Sequence, residues 1–365
     1  MRTGHVRQLV ISAALVAATG AFAPALAAPS LFDPGLSELK LVASGSALSR
    51  VDGLAFDPAG NLFAALEVVG SGGGIVYVNK ASGSVSALLA PISGADQIKY
   101  HSPGIFYVTS ELNPPTRGGP GGIYRFDVTY GGGVPVSATA TYLATSMTEI
   151  DNPEGLVVLR TSGAFGNAGD LIVAEDLASG RVIKVALGSG SAVASVLIGT
   201  AAGLGRPEGL AFGDFGGQAA PALYLAETLA NRVLRIDAAG NFAEFGNSAA
   251  VVLARPDNLA FGPDGFLYVA EDPTNGASGR IMRLDANGNY TTLALGFNKP
   301  AGLAFDPLTG HLYIAEQEAN KIWRVEFAAA VPEPAHYAML LAGLALLGFA
   351  VRARNAGIEC AVPAA

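Results

Sequence analysis

An acidic residue recurs at one position of a short phrase repeated along the chain. It is Asp52 in DGLAF, Asp96 in DQIKY, Glu154 in PEGLV, Glu208 in PEGLAF and Asp257 in PDNLAF, with Ala301 at that place in a further copy, PAGLAF. Carboxylates gathered at one narrow mouth repel one another, which raises some of their pKa values or recruits a cation. Hydrogen bonds from backbone N–H groups at the junctions between repeats are the other way to hold such a ring. With oxygen donors and no thiol nearby, the cation would be hard: calcium first, then magnesium or manganese. Glu154, Glu208, Asp257 and the adjoining Asn258 are the leading ligand candidates. A second acidic set, Glu175, Glu227, Glu271 and Glu316, is followed each time by a basic residue: Arg181, Arg232, Arg280 and Lys321. A hairpin would set these partners opposite one another, a structural role contributing about 0.2–1 kcal/mol per pair.

The elements that position these residues follow from the period. Six copies of the phrase lie 44 to 58 residues apart, each followed by a second apolar run ending near Glu. Units of roughly 40–50 residues, each with several short strands, predict a β-propeller. In the fourth unit GLAF, LYLA, RVLRI and NFAEFG read as four antiparallel strands, with Asp237 to Gly240 as a hairpin turn. The expected fold is all-β: six four-stranded blades over 28–327. The sixth unit runs out after its third strand, KIWRVEF, so a strand at Leu39 to Ala43 is expected to complete it and close the ring. Strand alternation then gathers the first acidic set on one face, around the central channel. Longer connections on that face include Glu111 to Gly122, which could overhang the mouth as a lid.

The two ends read differently. Arg2, His5 and Arg7 precede an apolar stretch from Leu9 to Ala23 and the small-residue pattern Ala25-Leu26-Ala27, a secretory signal helix over 1–27. Val331-Pro332-Glu333-Pro334 precedes seventeen residues, 335–351, that lack Asp, Glu, Lys and Arg, and Arg352 and Arg354 follow. That run approaches the length of a membrane-spanning helix, and the arginines favour a cytoplasmic end. The sole cysteine, Cys360, excludes an intramolecular disulfide. A formal charge of −8 makes nucleic acid and anionic membrane surfaces poor partners.

The C-terminal segment, 328–365, resembles the PEP-CTERM sorting signal of Gram-negative bacteria. The resemblance implies recognition by an exosortase-type protease, an intermediate anchored in the inner membrane by the C-terminal helix, and delivery to the outer surface or an exopolysaccharide matrix. The repeats from Leu39 to Phe327 resemble NHL repeats and the senescence-marker-protein and gluconolactonase family of six-bladed propellers. That resemblance implies a divalent cation in the channel on Glu, Asn or Asp residues directly before the Gly of such phrases. Glu154, Glu208 and Asp257 stand at such positions, and Asp52 and Asp96 add to them. It also implies lactone hydrolysis, with the metal polarising the ester carbonyl and a carboxylate acting as base.

Other chemistries find no support. Two of the four histidines, His5 and His336, lie in the targeting segments, and neither His101 nor His311 pairs with another on the acidic face. There is no GxSxG elbow and no HExxH motif. Asp285 to Asn289 starts like a calcium loop but lacks its later ligands and reads as a hairpin turn. Two functions remain: an exported propeller that binds a polysaccharide or envelope-protein partner through its acidic face, with or without a cation, or a metal-dependent lactonase.

Overall fold

In the computed structural model, residues 28–32, 37–88, 92–111, 121–147, 150–188, 191–217, 220–246, 252–273 and 278–327 are described. The phrase that repeats in the sequence becomes the innermost strand of each of six antiparallel sheets: Val51–Phe56, Ala95–Ser102, Pro153–Val158, Pro207–Gly213, Pro256–Phe261 and Pro300–Phe305. These blades 1 to 6 stand side by side around an axis. Each innermost strand lies against that of the next blade, and Pro300–Phe305 returns to Val51–Phe56. Both faces of these strands meet protein, which is why they read as nearly continuous apolar runs rather than alternating ones.

The core is divided among the blade interfaces. Six hydrophobic clusters form, one between each pair of neighbouring blades. The LAF and LYLA phrases explain three of them. Tyr224, Tyr268 and Tyr313 on second strands are fully buried. Their rings pack edge-on against Phe261, Phe305 and Phe56 of the following blade, at centroid distances of 5.4, 5.0 and 5.0 Å. Such pairs contribute about 0.5–1.5 kcal/mol each beyond area burial.

Closure follows the expectation. Ser37–Ser44 pairs antiparallel with Lys321–Phe327 and supplies the fourth strand of blade 6, with Leu39 opposite Val325 and Leu41 opposite Trp323. Ser30–Leu31 continues the chain onto the outer edge of blade 5, opposite Ala294 and Leu295, so that sheet has five strands. The Asp285 segment is the hairpin turn expected: Asp285 Oδ1 accepts the N–H groups of Asn287 and Asn289 at 2.9 Å, and Gly288 takes φ 78°.

The expectation of helices at both ends is corrected. Among the described residues the helical elements are single 3-10 turns at Ser46–Leu48, Gly70–Gly72 and Thr200–Ala202, and no helix is long and apolar enough to cross a membrane. The expected signal helix (1–27), the apolar helix (335–351) and most of the lid (112–120) lie outside the described residues. Among the described residues, nothing supports a transmembrane helix, a membrane contact through one or an inner-membrane-anchored intermediate.

Candidate metal centre at the channel mouth

A β-bulge brings the acidic residues to the axis. In all six blades the pairing of first and second strands slips between the first and fourth positions of the phrase, for example between Pro207 and Leu210 and between Val51 and Leu54. The acid and the residue after it occupy the bulge, where a strand bends and re-aims its side chains. Glycine follows the acid because the neighbouring blade leaves no room. A Cβ on Gly155, Gly209 or Gly302 would sit 2.0–2.3 Å from the carbonyl oxygen of Glu208, Asp257 or Asp52. Gln97 and Asn258 replace glycine in blades 2 and 5, and both are buried.

One residue before the phrase, the chain turns through positive φ: Arg50, Gly94, Asn152, Arg206, Arg255 and Lys299, at 46–60°. Each carbonyl there accepts the N–H of the residue just past the second strand, namely Glu67, Glu111, Asp176, Thr228, Asp272 and Gln317, at 2.9–3.1 Å. The repeat thus builds two further tiers, one largely cationic and one largely acidic. Non-glycine residues at positive φ are strained, and strain of this kind concentrates at functional sites.

These tiers enclose a cavity of about 120 Å³ lined by eight carboxylates together with Arg206, Arg255 and Lys299. Charge is unevenly spread around it. Three triads, Asp52–Glu67–Asp96, Asp96–Glu111–Glu154 and Glu154–Asp176–Glu208, each offer ligand oxygens within 4.8 Å of one another, and they merge into an arc over blades 1 to 4. The outer triads already meet cations. Glu67 accepts from Arg50 and from the Gln317 amide, both at 2.5 Å. Arg206 grips Asp176 through two nitrogens and lies 3.4 Å from Glu208. The middle triad has no ion-pair partner among the described residues, and Asp96 Oδ1 is buried without a hydrogen bond. Three hard oxygens and an orphaned acceptor fit a hard divalent cation.

Crowding and burial shift the protonation equilibria. Burial, joined by Asp52 and Glu111, holds Asp96 well above the usual carboxylate range, and burial with Glu208 does the same to Glu154. Asp52 is raised by burial and then by Asp257, although the Gln97 and Gln317 amides donate to it at 3.2 and 2.6 Å. Glu111 rises to about 7 through burial and then Glu67, and Glu208 to about 9 through burial and then Asp257. The Thr228 hydroxyl lies 2.5 Å from Glu208 Oε2 and 2.7 Å from the Pro256 carbonyl. One hydroxyl proton serves two acceptors there, and a proton on Glu208 resolves the conflict. Burial also lifts Asp257 to about 7 against the pull of Lys299, while Asp257, Asp52 and Glu67 outweigh burial and raise Lys299.

Of the candidates read from the sequence, Asp52, Asp96, Glu154 and Glu208 fall in the triads. Asp257 lines the same cavity outside them, with Oδ1 unpartnered, and Asn258 does not line it. Sequence reasoning missed Glu67, Glu111, Asp176 and Asp272, and the cations Arg50, Arg206, Arg255 and Lys299. Their common signal is position: one step past the second strand, or one step before the phrase. The second acidic set is structural. Arg181, Arg232 and Arg280 bond Glu175, Glu227 and Glu271 at 2.5–2.6 Å, and each Glu also accepts a loop N–H, from Asp151, Gly205 and Ala254. In blade 6 Glu316 takes the Trp323 indole N–H at 2.6 Å instead of Lys321, whose ammonium lies 5.6 Å from the Trp323 ring centroid.

Comparison with known proteins agrees with this architecture. Residues 330–355 match the PEP-CTERM protein-sorting motif. No curated protein sequence matches the chain. A gluconolactonase from Xanthomonas campestris is structurally similar, at 16% identity and TM-score 0.58, over 80% of this chain and 90% of that one. Virginiamycin B lyase from Staphylococcus aureus is similar at 17% identity and TM-score 0.53, over 80% of this chain and 100% of that one. A luciferin-regenerating enzyme is similar at 13% identity and TM-score 0.54, over 80% and 95%. Identities this low speak to the fold alone. The chain is a six-bladed β-propeller with a C-terminal PEP-CTERM motif.

Proposed function

We propose that the chain is an exported propeller that binds a ligand or partner at its acidic channel mouth through a hard divalent cation, calcium before magnesium or manganese. Asp96, Glu111 and Glu154 would hold the ion, with Asp52 and Glu208 flanking them and Asp257 facing from across the mouth. The middle triad carries the reading, because its oxygens converge without a protein cation while the triads on either side have one. The PEP-CTERM motif supports exosortase-linked sorting, and delivery to the cell surface or an exopolysaccharide matrix suits a binding protein. Polysaccharide hydroxyls and carboxylates are natural ligands for a partly coordinated calcium ion.

A second reading, metal-dependent lactone hydrolysis of the gluconolactonase type, draws on the far side of the mouth. Arg255 Nε is buried without a hydrogen bond, and the Lys299 ammonium has no hydrogen-bond partner among the described residues, so both are placed to meet negative charge. Asp257, at about 7, is poised to accept a proton from water near neutral pH. A bound divalent cation would polarise the ester carbonyl and lower the pKa of a water. Purified protein assayed for metal content, and then for gluconolactone hydrolysis with and without chelator, separates the two. Retained metal without turnover supports the binding reading, and chelator-sensitive turnover lost in Asp257→Asn supports the hydrolase. Absence of both metal and turnover overturns the proposal.

A further inference from the structure

The other end of the channel has a different chemistry. There the innermost strands finish, and the fifth position of the phrase lines a cavity: Ala55, Val157, Ala211, Ala260 and Ala304 in five blades, but Lys99 in blade 2. These small residues leave a vestibule of about 330 Å³, open at the face opposite the acidic mouth and walled beyond the alanines by Phe56, Phe212, Phe261 and Phe305. The volume lies at the lower end of the roughly 300–1,000 Å³ typical of small-molecule sites.

Lys99 is the anomaly in this ring. Its ammonium makes no hydrogen bond or ion pair among the described residues, and burial holds its pKa down to about 8 even though Asp96 and Asp52 pull the other way. Arg160 stands beside it at the rim. Its guanidinium is fixed by the Tyr100 and His101 carbonyls at 2.6 and 3.1 Å and lies 5.5 Å from the Tyr100 ring centroid. The other blades carry alanine or valine at this position, so a half-buried ammonium without a protein partner among the described residues, in the wall of an apolar vestibule, is placed to meet an anion.

We infer that this vestibule binds a small amphiphilic monoanion, a carboxylate with an apolar tail, with the carboxylate on Lys99 and the tail among the alanines and phenylalanines. Lys99 supplies a charge-assisted hydrogen bond in a partly desolvated setting, where such bonds are strongest. Arg160 adds positive potential from a fixed position. The apolar wall supplies affinity without specificity, so the anionic head sets the orientation.

Octanoate is the probe, titrated calorimetrically into the purified full-length protein in the presence of chelator, with 1-octanol as the uncharged control. Saturable 1:1 octanoate binding is expected, weakened about tenfold or more by Lys99→Met, while octanol binding changes less than twofold. Lys99→Arg, which keeps the charge, should retain most of the affinity. Reductive methylation with carbon-13 formaldehyde gives a readout without substitution: the Lys99 resonance should shift with octanoate and not with octanol. No saturable octanoate binding, or equal binding by wild type and Lys99→Met, overturns the inference. So does a methylated Lys99 resonance indifferent to octanoate. Since the vestibule and the acidic mouth lie at opposite channel ends and chelator is present, this outcome is separate from the fate of the cation site.

Discussion

If buried carboxylates crowd the mouth without a cation, the metal-free protein must lose stability as pH rises from 5 to 8. The sign follows from the direction of the shifts. A carboxyl whose pKa is higher folded than unfolded binds its proton more tightly in the folded state, so it stabilises the fold at low pH. That contribution disappears as pH climbs through the folded-state value. For Asp257, lifted from 3.8 to about 7, proton linkage removes about 2–3 kcal/mol between pH 5 and 8. Glu111, lifted from 4.5 to about 7, acts in the same direction with similar size. Urea denaturation in chelator at pH 5, 6, 7 and 8 measures this directly. Repeating the series with calcium at about one hundred times its dissociation constant should restore about 2.7 kcal/mol at pH 8. The restoration should be smaller at pH 5, where protons compete for the ligands. Stability that is flat or rising with pH in chelator would refute the reasoning about the cluster.

Other perturbations test separate parts of the structure. Glu154→Gln should weaken calcium binding at least tenfold by titration calorimetry while leaving metal-free stability at pH 8 unchanged or higher, because it removes a buried, crowded charge. Gly209→Ala sets a Cβ 2.3 Å from the Asp257 carbonyl and 2.6 Å from the Asn258 Cα, so a loss of about 3 kcal/mol or more is expected in denaturant unfolding. Arg280→Met strands the buried Glu271 carboxylate, which keeps only its bond from Ala254, and should cost about 2–4 kcal/mol by the same assay. Replacing Leu39, which packs against the core between blades 5 and 6, and the buried Ala43 by Asp should lower the melting temperature sharply by breaking the strand that ties Ser37–Ser44 to blade 6.

The fold was legible because its signals are periodic. Each copy of the phrase carries its own strand, and the missing fourth strand of the last unit pointed to Leu39 to Ala43, which lies within the observed Ser37–Ser44. The inner acidic ring was legible for the same reason. The rest of the mouth was not, because it depends on backbone conformation and on register rather than on repeated residue types. Position one past the second strand holds Glu67, Glu111, Asp176, Thr228, Asp272 and Gln317, too varied to stand out. Position one before the phrase holds four cations, but Gly94 and Asn152 interrupt the series. Asn258 looked like a ligand beside Asp257, yet in the bulge it takes the place of a packing glycine. Lys321 looked like the fourth partner of the second acidic set, yet Trp323 reaches Glu316 instead. Lys99 was hidden in DQIKY, the copy most altered from its siblings, where a lysine in a strand carries no signal until the four alanines and the valine at the matching positions are seen.

The proposed hard divalent cation on Asp96, Glu111 and Glu154 would lie at one end of the channel. Crystals grown with manganese and measured for anomalous scattering would locate such an ion without reference to any activity. An anomalous peak within about 2.0–2.6 Å of carboxylate oxygens from those three residues, absent in Glu154→Gln, is the expected result. A fully occupied mouth of waters with no peak, or a peak confined to surface carboxylates elsewhere, would contradict it.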